Sequence, residues 1–304
     1  MFIDLNKRSW QWITLVFLAF IWGASFILMK RGLISFTNMQ VGAMRIFFSF
    51  IFFIPLIVRN LRKLNRGNIK SLLIVGFIGN AIPAFMFATA QTQVSSSVAG
   101  ILNSLTPIFT LLIGIILYAN KVRWVSVVGL ILGMAGALGL ITSVNNVEIG
   151  ETNNWYGLFA VAGTICYGIN VNEIKFRLKD LDGVAIASLG FIFTGPIAGI
   201  YLLFGDYSSV AGSPGAAGSL LAVAALAFFS SFIAIILMNI LIKFTTTLFA
   251  ASVTYIIPIF AVFWGIMDGE RFLLVQAFWA LVILAGVYLV NGKKRINYQK
   301  PFSG

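Results

Sequence analysis

The sequence contains no histidine and only one cysteine, Cys166. Without histidine, zinc sites built on imidazole, histidine proton relays and Ser-His-Asp catalysis are excluded. A single cysteine forms no disulfide framework and no thiolate metal site, so we expect neither a metal nor a cofactor. The chain also lacks a GxxxxGK[ST] motif for ATP, and no pair of acidic residues lies within its apolar blocks. We therefore expect neither an enzyme nor an ATP-driven pump.

Charged residues make up only 10% of the 304 residues, whereas 60% are hydrophobic, and the mean hydropathy is +0.98. A soluble protein of this size has far more polar surface. The apolar residues come in blocks of roughly twenty, the length that crosses a ~30 Å hydrocarbon core as a helix. Because the bilayer offers no partner for open backbone groups, these blocks should be helices. The sequence predicts an all-α polytopic membrane protein.

Ten transmembrane helices are predicted, with these ranges: 10–30, 40–58, 71–90, 96–118, 123–142, 155–174, 184–204, 218–242, 247–267 and 273–291. If the N-terminus is cytoplasmic, seventeen of the 21 Lys and Arg residues lie on the inside, and only Lys30, Arg31 and Arg271 lie outside. This bias predicts that both termini are cytoplasmic and that the protein is a multi-pass protein of the cytoplasmic (inner) membrane. The net charge of +12 is spread over short loops, which argues against a nucleic-acid partner.

One pattern occurs twice in the chain. Pro107-Ile108-Phe109, a proline inside an apolar segment, recurs as Pro258-Ile259-Phe260. With five spans in each copy, the second copy enters the membrane in the opposite orientation. Such inverted repeats are typical of secondary transporters, whose site lies near the midplane. Four regions are predicted: a first repeat at 11–142, an external connecting loop at 143–154, a second repeat at 155–291 and a basic cytoplasmic tail at 292–304.

Short segments over almost the whole chain carry a family resemblance. They are Trp22 to Phe26, Lys30, Arg45, Ser95 to Gly100, Leu105 to Pro107, Gly129 to Gly136, Tyr255 to Pro258, Gly269-Glu270 and Gly286. Together they resemble the EamA domain of the drug/metabolite transporter (DMT) superfamily. The resemblance implies a ten-helix carrier of small metabolites, often amino acids moved outward, with a central cavity lined by the first four helices of each half. The chain departs from the family pattern at Asn120, where the first copy usually has Glu, and at Gly190, which does not match Arg45.

Seven polar or aromatic residues near membrane depth are candidates for the substrate cavity: Trp22, Arg45, Asn80, Asn103, Tyr167, Asn170 and Tyr255. Burying a guanidinium costs about 2.5 kcal/mol or more in a membrane. Arg45 therefore either extends to the outer interface or faces the cavity and meets an anionic group such as a substrate carboxylate. The asparagines either contact substrate or bind helices together, and the aromatic residues either gate the cavity or only pack.

Three prolines are predicted to act as hinges or kinks: Pro83, Pro107 and Pro258. Each removes a hydrogen bond to the carbonyl four residues earlier, and that carbonyl then needs another partner. The alternative is that these prolines simply bend their helices. Asp268 and Glu270 are interpreted first as caps of the last span, because a carboxylate suits a helix N-terminus.

The leading hypothesis is a secondary carrier that exports small metabolites such as amino acids by alternating access. Without histidine or a carboxylate in mid-span, facilitated or exchange transport is favoured over strong proton coupling. The alternative is a flippase for lipid or lipid-linked substrates, or an accessory subunit with the same fold. The expected partners are a small-molecule substrate and the lipid bilayer. The GxxxG spacing within Gly129 to Gly139 indicates close helix packing, with a homodimer through the small-residue faces of spans 5 and 10 as the alternative.

Overall fold

The computed structural model describes residues 5–118, 123–143, 153–208, 210, 215–245 and 253–291. Asn120, most of the 143–154 loop and the 292–304 tail lie outside these residues. Within them, all regular structure is helical. The α-helices are α1 Arg8–Gly32, α2 Asn38–Asn60, α3 Ile69–Gly76, α4 Ile82–Ala90, α5 Ser96–Asn103, α6 Thr106–Tyr118, α7 Trp124–Ser143, α8 Gly157–Arg177, α9 Gly183–Leu203, α10 Ala216–Ala225, α11 Ala234–Phe244, α12 Val253–Met267 and α13 Leu274–Asn291.

Seven helical stretches of the described residues are long and apolar enough to cross a membrane: Arg8–Gly32, Asn38–Lys63, Ile69–Ala90, Ser96–Tyr118, Trp124–Ser143, Gly183–Leu203 and Ala216–Met238. Helices α12 and α13, at the predicted ninth and tenth spans, are also apolar but shorter. Helix α8, at the predicted sixth span, has 21 residues but contains two asparagines and Glu173, which make it more polar. The prediction of an all-α polytopic membrane protein is confirmed, whereas the number of ten spans stays a prediction.

The predicted third and eighth spans each contain a wide helical turn that sequence analysis did not anticipate. These π-helical segments are Phe77–Ala81, between α3 and α4, and Leu226–Ile233, between α10 and α11. A π turn interrupts the regular hydrogen-bond ladder, and such turns are frequent at functional sites. In the first segment the Asn80 Nδ2 donates to the Val75 carbonyl at 2.8 Å, so a side chain supplies a partner at this interruption.

The predicted fourth span is broken ahead of its proline. Helix α5 ends at Asn103, and α6 begins at Thr106, so Pro107 lies in the first turn of a new helix, where a missing N–H is tolerated. The Asn103 carbonyl accepts a hydrogen bond from the Thr106 Oγ1 at 2.8 Å. Pro83 similarly lies in the first turn of α4, whereas Pro258 lies inside α12.

Helices from the two halves of the chain pack closely against each other. The main pairs are α7 with α13, α2 with α9, α1 with α12, and α8 with both α4 and α6. Between α2 and α9 the rings of Phe53 and Phe191 stack with centroids 5.3 Å apart. These contacts surround the middle of the bundle, where the functional residues lie.

The small-residue faces of α7 and α13 pack against each other inside one chain. A Cβ added to Gly129 would lie 2.6 Å from the carbonyl oxygen of Gly286, and one added to Gly286 would lie 2.6 Å from that of Gly129. Small residues let two helix backbones approach this closely. The small-residue faces expected to form a homodimer are therefore covered by each other at these glycines. A homodimer stays a prediction, and it requires a different surface.

Candidate functional site

A cavity of about 410 Å³ lies between the two halves of the chain, within the usual size range for small-molecule sites. Helices α1, α2, α4, α5, α6, α8, α9, α11 and α12 and both π segments contribute to its wall. Six of the seven predicted candidates line it: Trp22, Arg45, Asn80, Asn103, Tyr167 and Asn170. Residues distant in sequence thus meet in one polar and aromatic cavity.

Tyr255 is the predicted candidate that does not line this cavity. Its hydroxyl donates to the Val287 carbonyl on α13 at 3.2 Å. Its neighbours Val253, Thr254 and Ile257 form the wall instead. The helical rotation between adjacent residues, about 100°, accounts for the difference, since the sequence predicted the span but not its orientation.

Arg45 is the only charged side chain among the described residues that line the cavity. It is half-buried on α2, and Tyr167 lines the same cavity. It forms no salt bridge with a described carboxylate. Helix α2 begins at a capping box in which the Thr37 Oγ1 accepts from the Gln40 N–H and the Gln40 Oε1 accepts from the Thr37 N–H, which fixes the start of the helix. The Arg45 guanidinium therefore remains available to bind an anion in the cavity.

Two serines of the second π segment were missed by sequence analysis. Ser230 and Ser231 line the cavity, and the Ser230 carbonyl accepts from the Trp22 Nε1 at 3.0 Å. The Ser230 Oγ in turn donates to the Ile21 carbonyl at 3.4 Å. These bonds tie α1 to the second half and orient the indole ring of Trp22. The available signal was a pair of adjacent serines in an otherwise apolar run.

The asparagines near the cavity have different roles. Asn170 packs against Gly79 of the first π segment, and its Oδ1 is buried with no hydrogen-bond partner. A buried acceptor without a donor is costly, by about 1–3 kcal/mol, so this amide could accept a donor from a bound molecule. Asn172, by contrast, donates to the Thr110 and Gly168 carbonyls, both at 2.9 Å, and joins α8 to α6.

The sequence analysis predicted that Glu270 caps the last helix, but the structure places it elsewhere. Helix α13 begins at Leu274, four residues later, and the Glu270 carboxylate instead accepts four hydrogen bonds from the first turn of α5. The Ser96 N–H and Oγ donate to Oε1 at 2.7 and 2.9 Å, and the Ser97 N–H and Oγ donate to Oε2 at 3.0 and 2.7 Å. The Lys30 Nζ also lies 2.7 Å from Oε1. We call Lys30, Ser96, Ser97 and Glu270 the Glu270 network.

The environment of Glu270 stabilises its charged form. Burial of the carboxyl group raises its pKa, but the hydrogen bonds from Lys30, the Ser97 hydroxyl and the Ser96 N–H outweigh burial and hold the pKa below its usual range. Asp268, two residues earlier, pairs with Arg31 on α1. Both carboxylates therefore connect the α12–α13 segment to the end of α1.

A second buried glutamate lies at the opposite end of the Ser96–Tyr118 stretch. Glu173 of α8 accepts from the Ser71 Oγ of α3 at 2.6 Å and from the Tyr118 hydroxyl of α6 at 3.0 Å. The Tyr118 ring stacks on Phe176 with centroids 4.3 Å apart. We call Ser71, Tyr118 and Glu173 the Glu173 network. Among the described residues, Glu173 forms no ion pair with Arg45.

Comparison with known proteins identifies the class to which this architecture belongs. The sequence model of the EamA-like transporter family matches residues 10–142 and again residues 154–292. Together the two matches cover nearly the whole chain. The chain belongs to the EamA-like transporter family and is a membrane transporter.

Individual relatives are similar over different shares of the chain. The uncharacterized inner membrane transporter YedA of Escherichia coli is 26% identical over 291 residues, which cover 92% of this chain and 90% of YedA. An uncharacterized transporter of Archaeoglobus fulgidus is 22% identical over 59% of this chain and 62% of its own. The WAT1-related protein At1g25270 of Arabidopsis thaliana is 29% identical over 41% of this chain and 39% of its own. The predicted location as a multi-pass protein of the inner membrane is confirmed.

A solved crystal structure shares the fold. It aligns with a TM-score of 0.61 at 18% identity over 93% of this chain and 96% of the other. This likeness extends to the overall arrangement of helices and carries no information on substrate.

Proposed function

We propose that this transporter is a secondary carrier that exports small metabolites such as amino acids by alternating access through the central cavity. The observation that carries the proposal is the position of Arg45, the one charged side chain among the described residues on the wall of a cavity shared by both halves. A guanidinium there can bind a carboxylate in bidentate geometry, and the apolar wall can bind the body of the solute. Facilitated or exchange transport fits a cavity wall on which the described residues include no acid.

The proposed architecture is ten helices in two inverted repeats of five, at 11–142 and 155–291, with both termini cytoplasmic. The two separate matches to the family model support this division. Helix pairing also supports it. Helix α1 of the first span packs on α12 of the ninth, and α8 of the sixth span packs on α6 of the fourth. Each pair joins the first span of one repeat to the fourth span of the other, as an inverted repeat requires. In this topology, the Glu270 network lies at the outer end of the bundle and the Glu173 network at the inner end.

The remaining cavity residues have proposed roles in orienting the solute. The buried Oδ1 of Asn170 can accept a hydrogen bond from an ammonium or amide group, while Arg45 binds the carboxylate. Asn80, Asn103 and Tyr167 complete the polar wall, and Trp22 covers it with an indole ring. Pro83 and Pro107, each in the first turn of a helix that follows an interruption, and Pro258, inside α12, are proposed hinges.

Counterflow in proteoliposomes tests this function. Wild-type protein is loaded with unlabelled amino acids, organic acids or cationic drugs, and uptake of the labelled solute is measured with and without a pH gradient. We expect a zwitterion or an anion to exchange without a gradient, and Arg45→Ala to lower exchange at least about tenfold, as expected when a charged hydrogen-bond partner is lost. Arg45→Lys keeps the charge but not the bidentate geometry, so it should retain part of the exchange.

The matched control is Arg31→Gln, which removes an arginine whose side chain is 58% exposed outside the cavity. It should leave exchange close to wild type. Equal exchange by Arg45→Ala and wild type would contradict the carboxylate contact. If no soluble solute moves while labelled lipids cross between leaflets, the protein is a flippase instead.

A further inference from the structure

We infer that Glu270 is a positioning residue that keeps one end of the cavity closed, by joining α1, α5 and the α12–α13 segment. The inference rests on the proposed alternating-access function, in which each end of the cavity opens in turn. Three members of the Glu270 network belong to the first half of the chain, and Glu270 belongs to the second. The halves therefore separate at this end only if the ion pair and its four hydrogen bonds break.

The local sequence explains why the Glu270 side chain reaches α5. Gly269 has φ +87°, a left-handed conformation that glycine adopts without strain. The Gly269 N–H donates to the Ile266 carbonyl and the Glu270 N–H to the Gly265 carbonyl, which is the Schellman pattern that ends a helix. The chain thereby reverses at Gly269, and the Glu270 side chain turns back towards the bundle.

Gly265 provides the space for this side chain. A Cβ added at Gly265 would collide with both the Ser97 Oγ and the Glu270 Oε2. The carboxylate consequently lies over the last turn of α12 and directly beneath the first turn of α5. Its side chain is only 5% exposed.

Ser95 and the Glu270 network together satisfy the free N–H groups at the start of α5. A helix begins with N–H groups that have no intrahelical partner. The Ser95 Oγ accepts from the Val98 N–H at 3.2 Å, and Glu270 accepts from the Ser96 and Ser97 N–H groups. When the carboxylate leaves, two backbone donors and the Lys30 ammonium must find water. Water reaches them only if this end of the bundle opens, so separation of the halves and exposure of the cavity are coupled.

The seam below the Glu270 network is tightly packed. A Cβ added at Gly100 of α5 would collide with the Ala261 side chain of α12. Phe26 of α1, which is 6% exposed, lies beside the same glycine and also lines the cavity. The wall from Glu270 to the cavity is therefore continuous and made of α1, α5 and α12.

Accessibility of a single cysteine tests the inference without knowledge of the solute. The background is Cys166→Ser with Ser25→Cys, which places one thiol on the cavity wall. A membrane-impermeant maleimide is applied to vesicles of both orientations, so that each face is measured separately. We expect Glu270→Gln to raise the labelling rate about tenfold from the face that carries Glu270, because a charge-assisted contact is lost. The rate from the opposite face should fall, since the two open states compete for one population.

Lys30 provides a second set of variants that leaves the start of α5 satisfied. Lys30→Gln should raise labelling from the same face, and Lys30→Arg should restore the slow rate. The matched control is Asp268→Asn, which removes the neighbouring and more exposed ion pair and should leave both rates unchanged. Recovery by Lys30→Arg shows that the charge at residue 30 sets the rate, and an unchanged slow rate in Lys30→Gln contradicts a role of the ion pair in closure.

Two outcomes overturn the inference. Equal labelling of the Glu270→Gln variant and the background from both faces shows that the network does not hold this end closed. Faster labelling from both faces shows general loosening and only a structural role. Failure of the proposed solute transport is a separate result. Labelling that rises at one face and falls at the other supports the gating role, whether or not an amino acid exchanges.

Discussion

The two ends of the Ser96–Tyr118 stretch are bound by glutamates of the second half in different ways. At one end Glu270 accepts from two backbone N–H groups, two hydroxyls and the Lys30 ammonium. At the other end Glu173 accepts from the hydroxyls of Ser71 and Tyr118. A hydrogen bond in which either the donor or the acceptor is ionised is roughly twice as strong as a neutral one. This applies to both carboxylates, so the number of donors, five for Glu270 and two for Glu173, separates them. We infer from the larger set of donors that the Glu270 end is held more tightly than the Glu173 end.

The difference also concerns what remains when each contact breaks. The hydroxyls of Ser71 and Tyr118 can rotate towards other acceptors. Backbone N–H groups at the start of a helix cannot rotate and remain without a partner unless water replaces the carboxylate. The two glutamates therefore bind the same stretch, but only Glu270 makes opening depend on water entry. Four changes can break or sharpen this comparison, from the largest expected effect to the smallest.

Replacement of each glutamate by leucine should give the largest contrast. We expect Glu270→Leu to lower the free energy of unfolding by about 3 kcal/mol, because it leaves an ammonium and two buried N–H groups without their acceptor. We expect Glu173→Leu to lower it by about 1 kcal/mol, the usual worth of a side-chain hydrogen bond. Thermal unfolding of the purified variants in detergent measures both. Equal losses would show that the backbone donors add nothing.

Gly265→Ala should disturb the Glu270 network without changing any charge. The new Cβ displaces the Ser97 Oγ and the Glu270 Oε2, so we expect a loss of about 2 kcal/mol, typical of overpacking, and faster labelling at the Glu270 face. Gly218→Ala is the matched control, because nothing lies within 4 Å of a Cβ at Gly218 and alanine favours the helix. A Gly265→Ala variant as stable and as slowly labelled as the control would refute the role given to this glycine.

Acid should weaken the Glu270 network only at low pH. The pKa of Glu270 in the closed state lies below its ordinary value of 4.5, so the stabilisation is fully present above that value and is lost as the pH falls through the lowered pKa. The labelling rate from the Glu270 face is divided by that of a free thiol at the same pH, which corrects for the loss of the reactive thiolate in acid. This relative rate should stay low from neutral pH to 4.5 and then rise. The charged neighbours are Lys30, Arg31 and Asp268, and Asp268→Asn controls for the second carboxyl group. A rise that begins near neutral pH would contradict this assignment.

The exposed ion pair between Lys63 and Asp182 should matter least. Its two side chains are 43% and 42% exposed, and exposed pairs contribute about 0.2–1 kcal/mol. Lys63→Gln should therefore change the unfolding temperature little and leave labelling from both faces unchanged. A loss of stability as large as that of Glu270→Leu would show that exposed and buried ion pairs contribute equally to the stability of this protein.

The cavity shows which parts of the site the sequence could predict. Trp22, Arg45 and Asn80 were recognisable because polar or aromatic groups at membrane depth are costly unless they face a cavity or a partner. Ser230 and Ser231 escaped notice because serine is tolerated in membrane helices. Tyr255 was assigned to the cavity from its place beside Pro258, yet its hydroxyl reaches Val287 of α13. Helix rotation decides such cases, and it depends on packing against other helices.

The sequence by itself determined that this is a helical membrane protein, because apolar blocks of about twenty residues have the length of membrane-spanning helices and a helix satisfies its own backbone hydrogen bonds. Its match to the EamA-like transporter family model gave the family. The sequence also indicated the breaks near Pro83 and Pro107, since proline cannot donate to a helix. Only the tertiary structure decided that Glu270 binds the start of α5 rather than its own helix, and that the two π segments border the cavity. Those contacts join residues far apart in the chain, and their geometry follows from how the two halves pack against each other.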